Sequence, residues 1–391
     1  MRSAFLVAGC LLVGAVAGLP VFAGSQVVAW GAGTTITPAD GKDYGQSIIP
    51  ARLTNAVSVA GGEWHSLALT AAGTLTGWGD DSFGQTDFPA GSNYVAVACG
   101  SLHSLARRSD GSVAAAGDDF NGHTDVPLSL VNVLAVACGF YRSLAVKSDG
   151  TVVAWGAGTG SNPNVDFGQN LVPPGLSNVV QIAAGGYHSL ALKADGTLTE
   201  WGDDSLPATG ISNVTAIATG AEHEVALNRD GTLTLWGSDQ YGQREVPAGL
   251  SNVVAIAAGG WHTLALKSDG TVVAWGAGTG SNANVDYGQN LVPTGLSNVV
   301  EVAAGQLHSL VLVGNGPPPG LGPLTVTGFG TNGFTLALPA RNGRVYRLEY
   351  KNSLTDPAWT PLPLQSGTGG ELPLTDPAPV NPMRFYRASH W

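Results

Sequence analysis

Apolar and polar positions along this chain recur as one unit. Between residues 26 and 313 three short segments repeat in the same order, with copies 35 to 46 residues apart. The first is a small-residue apolar run ending in Gly, as in Val253-Val254-Ala255-Ile256-Ala257-Ala258-Gly259. The second opens on Gly-x-x-His and alternates, as in His262-Thr263-Leu264-Ala265-Leu266. The third ends in Trp-Gly, as in Val272-Val273-Ala274-Trp275-Gly276. Alternation over such short spans predicts strands, and a fixed period predicts a repeat architecture.

Seven copies can be counted. His65, His103, His188, His223, His262 and His308 fill the His slot, and Arg142 fills it once. Trp30, Trp78, Trp155, Trp201, Trp236 and Trp275 fill the Trp slot, and Ala116 fills it once. These are read as structural residues of the repeat, because equivalent slots in different units lie far apart.

Asp-Gly stands between the second and third segments, as at Asp269-Gly270, and it is a strong hairpin signal. Read as a two-residue loop, it sets Leu264 opposite Trp275. That register puts His262, Leu264, Leu266, Val273 and Trp275 on one face and small residues on the other. Bulky faces stacked on small ones around an axis give a propeller.

A fourth element, aromatic-Gly-Gln followed by Pro, as in Tyr241-Gly242-Gln243…Pro247, predicts an outer edge strand. The last His segment lacks a Trp segment after it, and the Trp30 segment lacks a His segment before it. Residues 298–313 and 26–50 are therefore expected to complete one blade together, which removes open edges.

The full repeat, Gly-x-x-His-Ser-Leu-Ala-Leu-Lys-x-Asp-Gly-x-Val-x-x-Trp-Gly, resembles that of the regulator of chromosome condensation family over about residues 26–313. It is similar in particular to short-looped bacterial members, among them a secreted propeller that inhibits β-lactamases. The resemblance implies a seven-bladed propeller that works by binding a protein. The eukaryotic nucleotide-exchange member acts through a projecting wedge, and no insertion here would build one.

The expected fold is all-β: a seven-bladed propeller at 24–314 closed by N- and C-terminal strands, a Pro/Gly linker at 315–322, and a small β-sandwich at 323–391. Residues 1–23 read as a signal peptide, with Arg2, an apolar core and Val21-Phe22-Ala23. A secreted, extracellular or periplasmic monomer is expected, with no membrane span after cleavage. Cys99 and Cys138 occupy one repeat slot, held elsewhere by Ala, so small buried residues explain them better than a disulfide.

Charge changes the picture modestly. The net charge is −11 and only 12% of residues are charged. Phosphate backbones are repelled by such a surface, so nucleic acid is not an expected partner. No cofactor or metal is expected. Asn162-x-Asn164-x-Asp166 and Asn282-x-Asn284-x-Asp286 alternate oxygen ligands but lack the Gly and Glu of a calcium loop.

Function must lie where the copies differ. Asp80-Asp81, Asp118-Asp119 and Asp203-Asp204 follow three Trp slots, and Asp239 lies in a fourth loop, so an acidic rim is expected on one face. Phe83, Phe120 and Tyr241 are candidate anchors, since aromatic residues dominate interface hot spots. The reading is a non-catalytic scaffold for an extracellular or envelope protein. The alternatives are an extracellular lyase or glycan hydrolase, which needs acids converging at a channel mouth, and an adhesive surface module. Arg107 and Ala116, read as neighbours on one face, are expected to compensate for each other.

Overall fold

The computed structural model describes residues 6–7, 25–35, 42–157, 167–203, 210–278, 285–314, 325–330, 333–341, 344–353, 355–367, 371–377 and 384–391. Seven three-stranded antiparallel sheets form the propeller. Blade 1 is Ala56–Gly61, His65–Thr70 and Leu75–Gly79; blade 2 is Tyr94–Cys99, His103–Arg108 and Val113–Gly117. Blade 3 is Val133–Cys138, Arg142–Lys147 and Val152–Gly156; blade 4 is Val179–Ala184, His188–Lys193 and Leu198–Gly202. Blade 5 is Val214–Thr219, His223–Asn228 and Leu233–Gly237; blade 6 is Val253–Ala258, His262–Lys267 and Val272–Gly276. Blade 7 joins the two ends of the repeat array: Val299–Ala304 and His308–Val313 are its inner and middle strands, and Gln26–Gly31 is its outer strand.

That seam matches the expectation from the unpaired end copies. Trp30 stands opposite Ser309 and Gly31 opposite His308. The inner strand of each blade contacts that of the next, including blade 7 with blade 1. Glu301 stitches the closing junction: Ser58 Oγ and the Val59 N–H donate to its carboxylate at 2.8 and 3.0 Å. Gln181 does the same between blades 4 and 5. Its Nε2 donates to Ile217 O at 3.0 Å, and its Oε1 accepts from the Ile217 N–H at 3.1 Å.

The hairpin register differs from expectation by one residue. Thr263, not Leu264, stands opposite Trp275, and Leu266 stands opposite Val272. The Asp-Gly loop has three residues, Ser268 to Gly270, because the Lys267 N–H bonds Thr271 O and the Gly270 N–H bonds Lys267 O. Gly270 has φ +81° while Asp269 keeps a negative φ, and Asp269 Oδ1 accepts from the Thr271 N–H at 3.0 Å. This is the type I turn with a left-handed glycine, in place of the two-residue turn that needs both residues left-handed. A one-residue slip moves every side chain of the outer strand to the other face. Trp275 therefore lies beside Thr263 and Ala265. The Leu face of one blade packs on the Trp face of the next: Leu227 and Leu235 of blade 5 cluster with Trp275 and Ala265 of blade 6.

The same slip corrects the pairing of Arg107 with Ala116. Arg107 stands opposite Val113 and Ala116 opposite Ser104, so the two face opposite ways. Arg107 is buried and its Nη2 donates to Ser366 Oγ at 2.5 Å. Burial lowers its guanidinium to about 10.

A second correction concerns the fourth element. Among the described residues the aromatic-Gly-Gln segments are turns, not edge strands. The Gln side chain turns back and accepts from the backbone two residues earlier, as Gln243 Oε1 does from the Tyr241 N–H at 2.8 Å. This local bond replaces a ladder.

Beyond the propeller, Thr325–Gly330, Gly333–Pro339 and Glu371–Asp376 form one sheet, and Val345–Lys351 pairs with Phe385–His390 in another. Their facing residues Phe334, Leu336, Tyr346, Leu348, Leu374 and Tyr386 make one core, a small sandwich. The backbone of Leu6–Val7 pairs with Phe385 and Tyr386. The rest of the expected leader, the whole of the linker 315–322, and both Asn-x-Asn-x-Asp runs up to residue 284 lie outside the described residues. Among the described residues no helix is long and apolar enough to cross a membrane. Cys99 and Cys138 are free thiols.

Deleting residues 25–50 removes the outer strand of blade 7 and leaves His308–Val313 as an open edge. Aggregation or a fall in melting temperature of several degrees is expected by calorimetry. A monomeric deletion variant that melts with the parent chain would refute the seam.

Candidate functional site

A closed circuit of side chains runs around the propeller. Each residue of the His slot reaches a hydroxyl or carboxylate at the start of the next blade's middle strand. His65 Nε2 lies 2.8 Å from Ser104 Oγ, His103 3.1 Å from Ser143, and Arg142 Nε 2.9 Å from Ser189. His188 Nε2 lies 2.7 Å from Glu224 Oε1, His223 3.0 Å from Thr263, His262 2.9 Å from Ser309, and His308 2.9 Å from Ser66. The seventh contact returns to blade 1.

The hydroxyls fix the direction of these bonds. Ser309 Oγ donates its one proton to Gln289 O at 2.8 Å, and Ser66, Ser143, Ser189 and Thr263 likewise donate to the carbonyls of Gln46, His123, Gln169 and Gln243. A hydroxyl has a single donor. Its oxygen can then only accept, so the imidazole is the Nε2–H tautomer at His103, His223, His262 and His308. The same Gln carbonyls accept the indole N–H of Trp30, Trp78, Trp201 and Trp275 at 2.8 to 2.9 Å. The aromatic-Gly-Gln turns ending in Gln46, Gln169, Gln243 and Gln289 are thus clasps that join one blade to its successor.

The Gly of Gly-x-x-His is required by close approach. A Cβ on Gly259 would lie 2.1 Å from His262 Cε1 and 2.5 Å from Gly305 O. The same clash recurs at Gly62, Gly100, Gly139, Gly185, Gly220 and Gly305, so the glycines form a ring inside the histidines.

Burial pushes His65 down to about 4, and His223, His262 and His308 to about 3. His103 is also pushed well down, by burial first and then by His123 and His65. Their Nδ1 atoms have no hydrogen-bond partner, so a second proton would find no acceptor. These residues are neutral and structural. Arg142 is fully buried, and burial lowers it to about 9; Nη1 donates to Gly186 O at 2.9 Å and Nη2 to His188 O.

The acidic rim is of two kinds. Asp80 is buried and accepts from Ser82 Oγ and Gln85 Nε2 at 2.5 and 2.9 Å. Asp81, Asp119 and Asp239 each accept a backbone N–H five residues on, at 2.8, 3.0 and 2.8 Å. Asp118 lies 3.6 Å from His123 Nε2, and Asp203 is exposed. Asp204 lies outside the described residues. Most of the paired acids therefore close turns, while Asp81, Asp119 and Asp203 also face solvent.

The aromatic anchors divide as well. Tyr241 packs edge-on against Trp261 at 6.2 Å, as Tyr44 packs on Trp64 and Phe167 on Tyr187. Phe83 is 51% exposed and Phe120 is 87% exposed. Phe120 is not in the aromatic slot. The Gly122 N–H bonds Asp119 O as the Gly84 N–H bonds Asp81 O, which aligns Asn121 with Phe83 and Phe120 with Ser82. With no turn residue to pack on, Phe120 projects into water. The offset is readable from the Asp-Asp spacing.

The opposite, hairpin face meets the sandwich. Val345, Leu364 and Trp391 cluster with Leu134, Val180, Val214 and Ile217, which belong to the inner strands of blades 3 to 5. Arg341 Nη1 donates to Val300 O of blade 7 at 2.9 Å, and Ser366 meets Arg107 of blade 2. The sandwich therefore lies across that mouth of the channel. It encloses a cavity of about 110 Å³ lined by Ala135, Gln181, Ile217, Arg344 and Trp391.

Seven stacked sheets with a closed side-chain circuit define a β-propeller of the repeat class. Five stretches, residues 56–85, 94–122, 133–163, 179–206 and 253–289, match the regulator of chromosome condensation (RCC1) repeat. The propeller carries repeats of the regulator of chromosome condensation family. No curated protein matches it in sequence. Among solved structures it is similar to Prp20p from Saccharomyces cerevisiae, at 20% identity and TM-score 0.59, over 76% of this chain and 93% of that one. It is also similar to human WBSCR16, at 20% identity and TM-score 0.54, over 74% of this chain and 98% of that one. A third likeness is the CRINKLY ectodomain of the Arabidopsis thaliana receptor kinase ACR4, at 18% identity and TM-score 0.50, over 67% and 97%. At these identities the likeness is one of fold.

Two outcomes follow from the circuit. Removing an acceptor, as in Ser309→Ala, leaves His262 Nε2–H unpaired and is expected to cost about 1–3 kcal/mol, measured by urea unfolding. Acid should also unfold the protein. The folded histidines titrate below their unfolded value of 6.5, so the unfolded chain binds more protons as pH falls. Stability is complete above about pH 6.5 and is lost toward pH 4, at about 1.4 kcal/mol per pH unit for each such histidine. A flat stability profile between pH 7 and 4.5 would contradict neutral buried imidazoles.

Proposed function

We propose that this chain is a non-catalytic protein-binding scaffold outside the cytoplasm, its leader 1–23 removed, and that the Gly-x-x-His face receives the partner. The observation that carries this reading is the asymmetry between the two faces. The hairpin face is engaged by the sandwich, whereas the other presents Phe120, Phe83 and Phe167 from three successive blades. Apolar patches rimmed by polar groups mark interaction sites. Asp81, Asp119 and Asp203 around these rings favour a partner whose apolar contact is flanked by Lys or Arg. Prp20p has binding properties toward Gsp1p and histones, a precedent for protein binding by this class of propeller.

Exposed rings contribute little to folding, so Phe83→Ser/Phe120→Ser/Phe167→Ser should melt near the parent. Capture of native extracellular proteins by the parent, this triple variant and a hairpin-face control (Lys147→Ser/Lys267→Ser) tests the reading. At least one protein should be held by the parent and the control and lost by the triple variant. A partner retained by the triple variant, or lost only by the control, places binding elsewhere. Turnover of a glycan or peptide by the parent chain in a hydrolase screen would overturn the scaffold reading.

A further inference from the structure

One junction of the circuit breaks the pattern twice. Six of the seven slots that receive the previous blade's His or Arg hold Ser or Thr, and the blade 4–blade 5 junction holds Glu224. The adjacent position on the outer strand of blade 4 holds Glu200, opposite Leu190, where other blades have Ala29, Gly77, Ala115, Ala154, Leu235 or Ala274. Both carboxylates face His188. One ligand atom from each of the three residues lies within 4.8 Å of the others.

The linker sequence departs from the pattern here as well. Blades 5 and 6 are joined through Tyr241-Gly242-Gln243, whose carbonyl accepts from the hydroxyl and the indole of the next blade. Between Gly202 and Pro207 the chain has no aromatic-Gly-Gln. Trp236 Nε1 donates instead to Glu200 Oε2 at 3.2 Å.

Two further observations point to a ligand. Glu224 is 4% exposed and its Oε2 has no hydrogen-bond partner. His188 is also turned relative to the other histidines. A Cβ on its glycine, Gly185, would meet Cε1 and Nε2, whereas at Gly62, Gly100, Gly220, Gly259 and Gly305 it would meet Cε1 and Nδ1. Two carboxylates this close in a poorly hydrated interior repel each other.

We propose that His188, Glu200 and Glu224 bind one divalent first-row cation of the zinc class, which staples blade 4 to blade 5. One imidazole nitrogen and two carboxylate oxygens, with a fourth position open, are a zinc donor set. Calcium and magnesium take more oxygen ligands and are poorly served by imidazole. Bonds of about 2.0–2.2 Å draw the three donors closer than they stand, a movement that side-chain rotation supplies. The cation is the clasp of this junction.

The test uses the full chain without a histidine tag, stripped with a chelator and titrated with Zn²⁺ alone by equilibrium dialysis and metal analysis. One zinc per chain is expected, with a melting temperature that rises with free zinc. Co²⁺ should give the visible absorption of a four-coordinate site. Glu200→Gln and Glu224→Gln should each lose the bound metal and the thermal shift, while Glu222→Gln, which lies outside the cluster, keeps both. Parent protein that binds no zinc, or zinc retained equally by Glu200→Gln and Glu224→Gln, overturns the proposal. If Glu224→Gln does not fold, the parent titration and Glu200→Gln still decide it.

Discussion

The fold rests on a three-part relay buried between blades: imidazole N–H to hydroxyl, hydroxyl to backbone carbonyl. The relay carries no charge, satisfies the imidazole N–H and the hydroxyl, and links three chain segments in one contact. Its other features follow from it. The imidazole crowds the end of the inner strand, so the residue beside it must be glycine. The carbonyl must be presented to the hydroxyl, so a Gln-stabilised turn precedes five of the seven blades. The indole N–H shares that carbonyl, so Trp stands opposite the hydroxyl residue. Polar groups held this way specify how blades stack, while the leucines around them supply most of the driving force through burial.

Much of this is legible in the residues because repetition averages out ambiguity. Seven copies of the His slot and of the Trp slot set the blade count, and the unmatched copies at Trp30 and His308 place the seam. What is not legible is local. Asp-Gly serves two hairpin lengths, and only backbone angles distinguish them; the longer one moves every Trp to the other face and separates Arg107 from Ala116. Proline and aromatic residues in the fourth segment fit an edge strand as well as a turn, and the side-chain bond of Gln243 to its own loop decides for the turn. Phe120 resembles the slot aromatics although the Asp118-Asp119 spacing sets it one place early. Glu200 carries no signal under the two-residue register, which puts it on the wrong face.

Symmetry also explains where chemistry can and cannot reside. Slots that repeat are consumed by stacking, and their histidines are buried and bonded to the next blade. Departures are free to carry function: Phe120 in a solvent-facing turn, Arg107 reaching toward the sandwich, and Glu200 with Glu224 at the junction where a carboxylate replaces the hydroxyl. The paired Asp residues are a mixed case. Their first use is to close turns, and whatever they contribute to recognition is added to a geometry already set by backbone bonds.

The seam also has a consequence in time. Gln26–Gly31 is made first and pairs with His308–Val313, made nearly a whole propeller later. Until that strand arrives, the leading segment has no ladder, and the inner strand of blade 1 lacks its Glu301 partner. Closing so long a loop carries a large entropic penalty and slows folding. A nascent chain is therefore held open for most of its synthesis, and the ring locks as one event when its two ends meet.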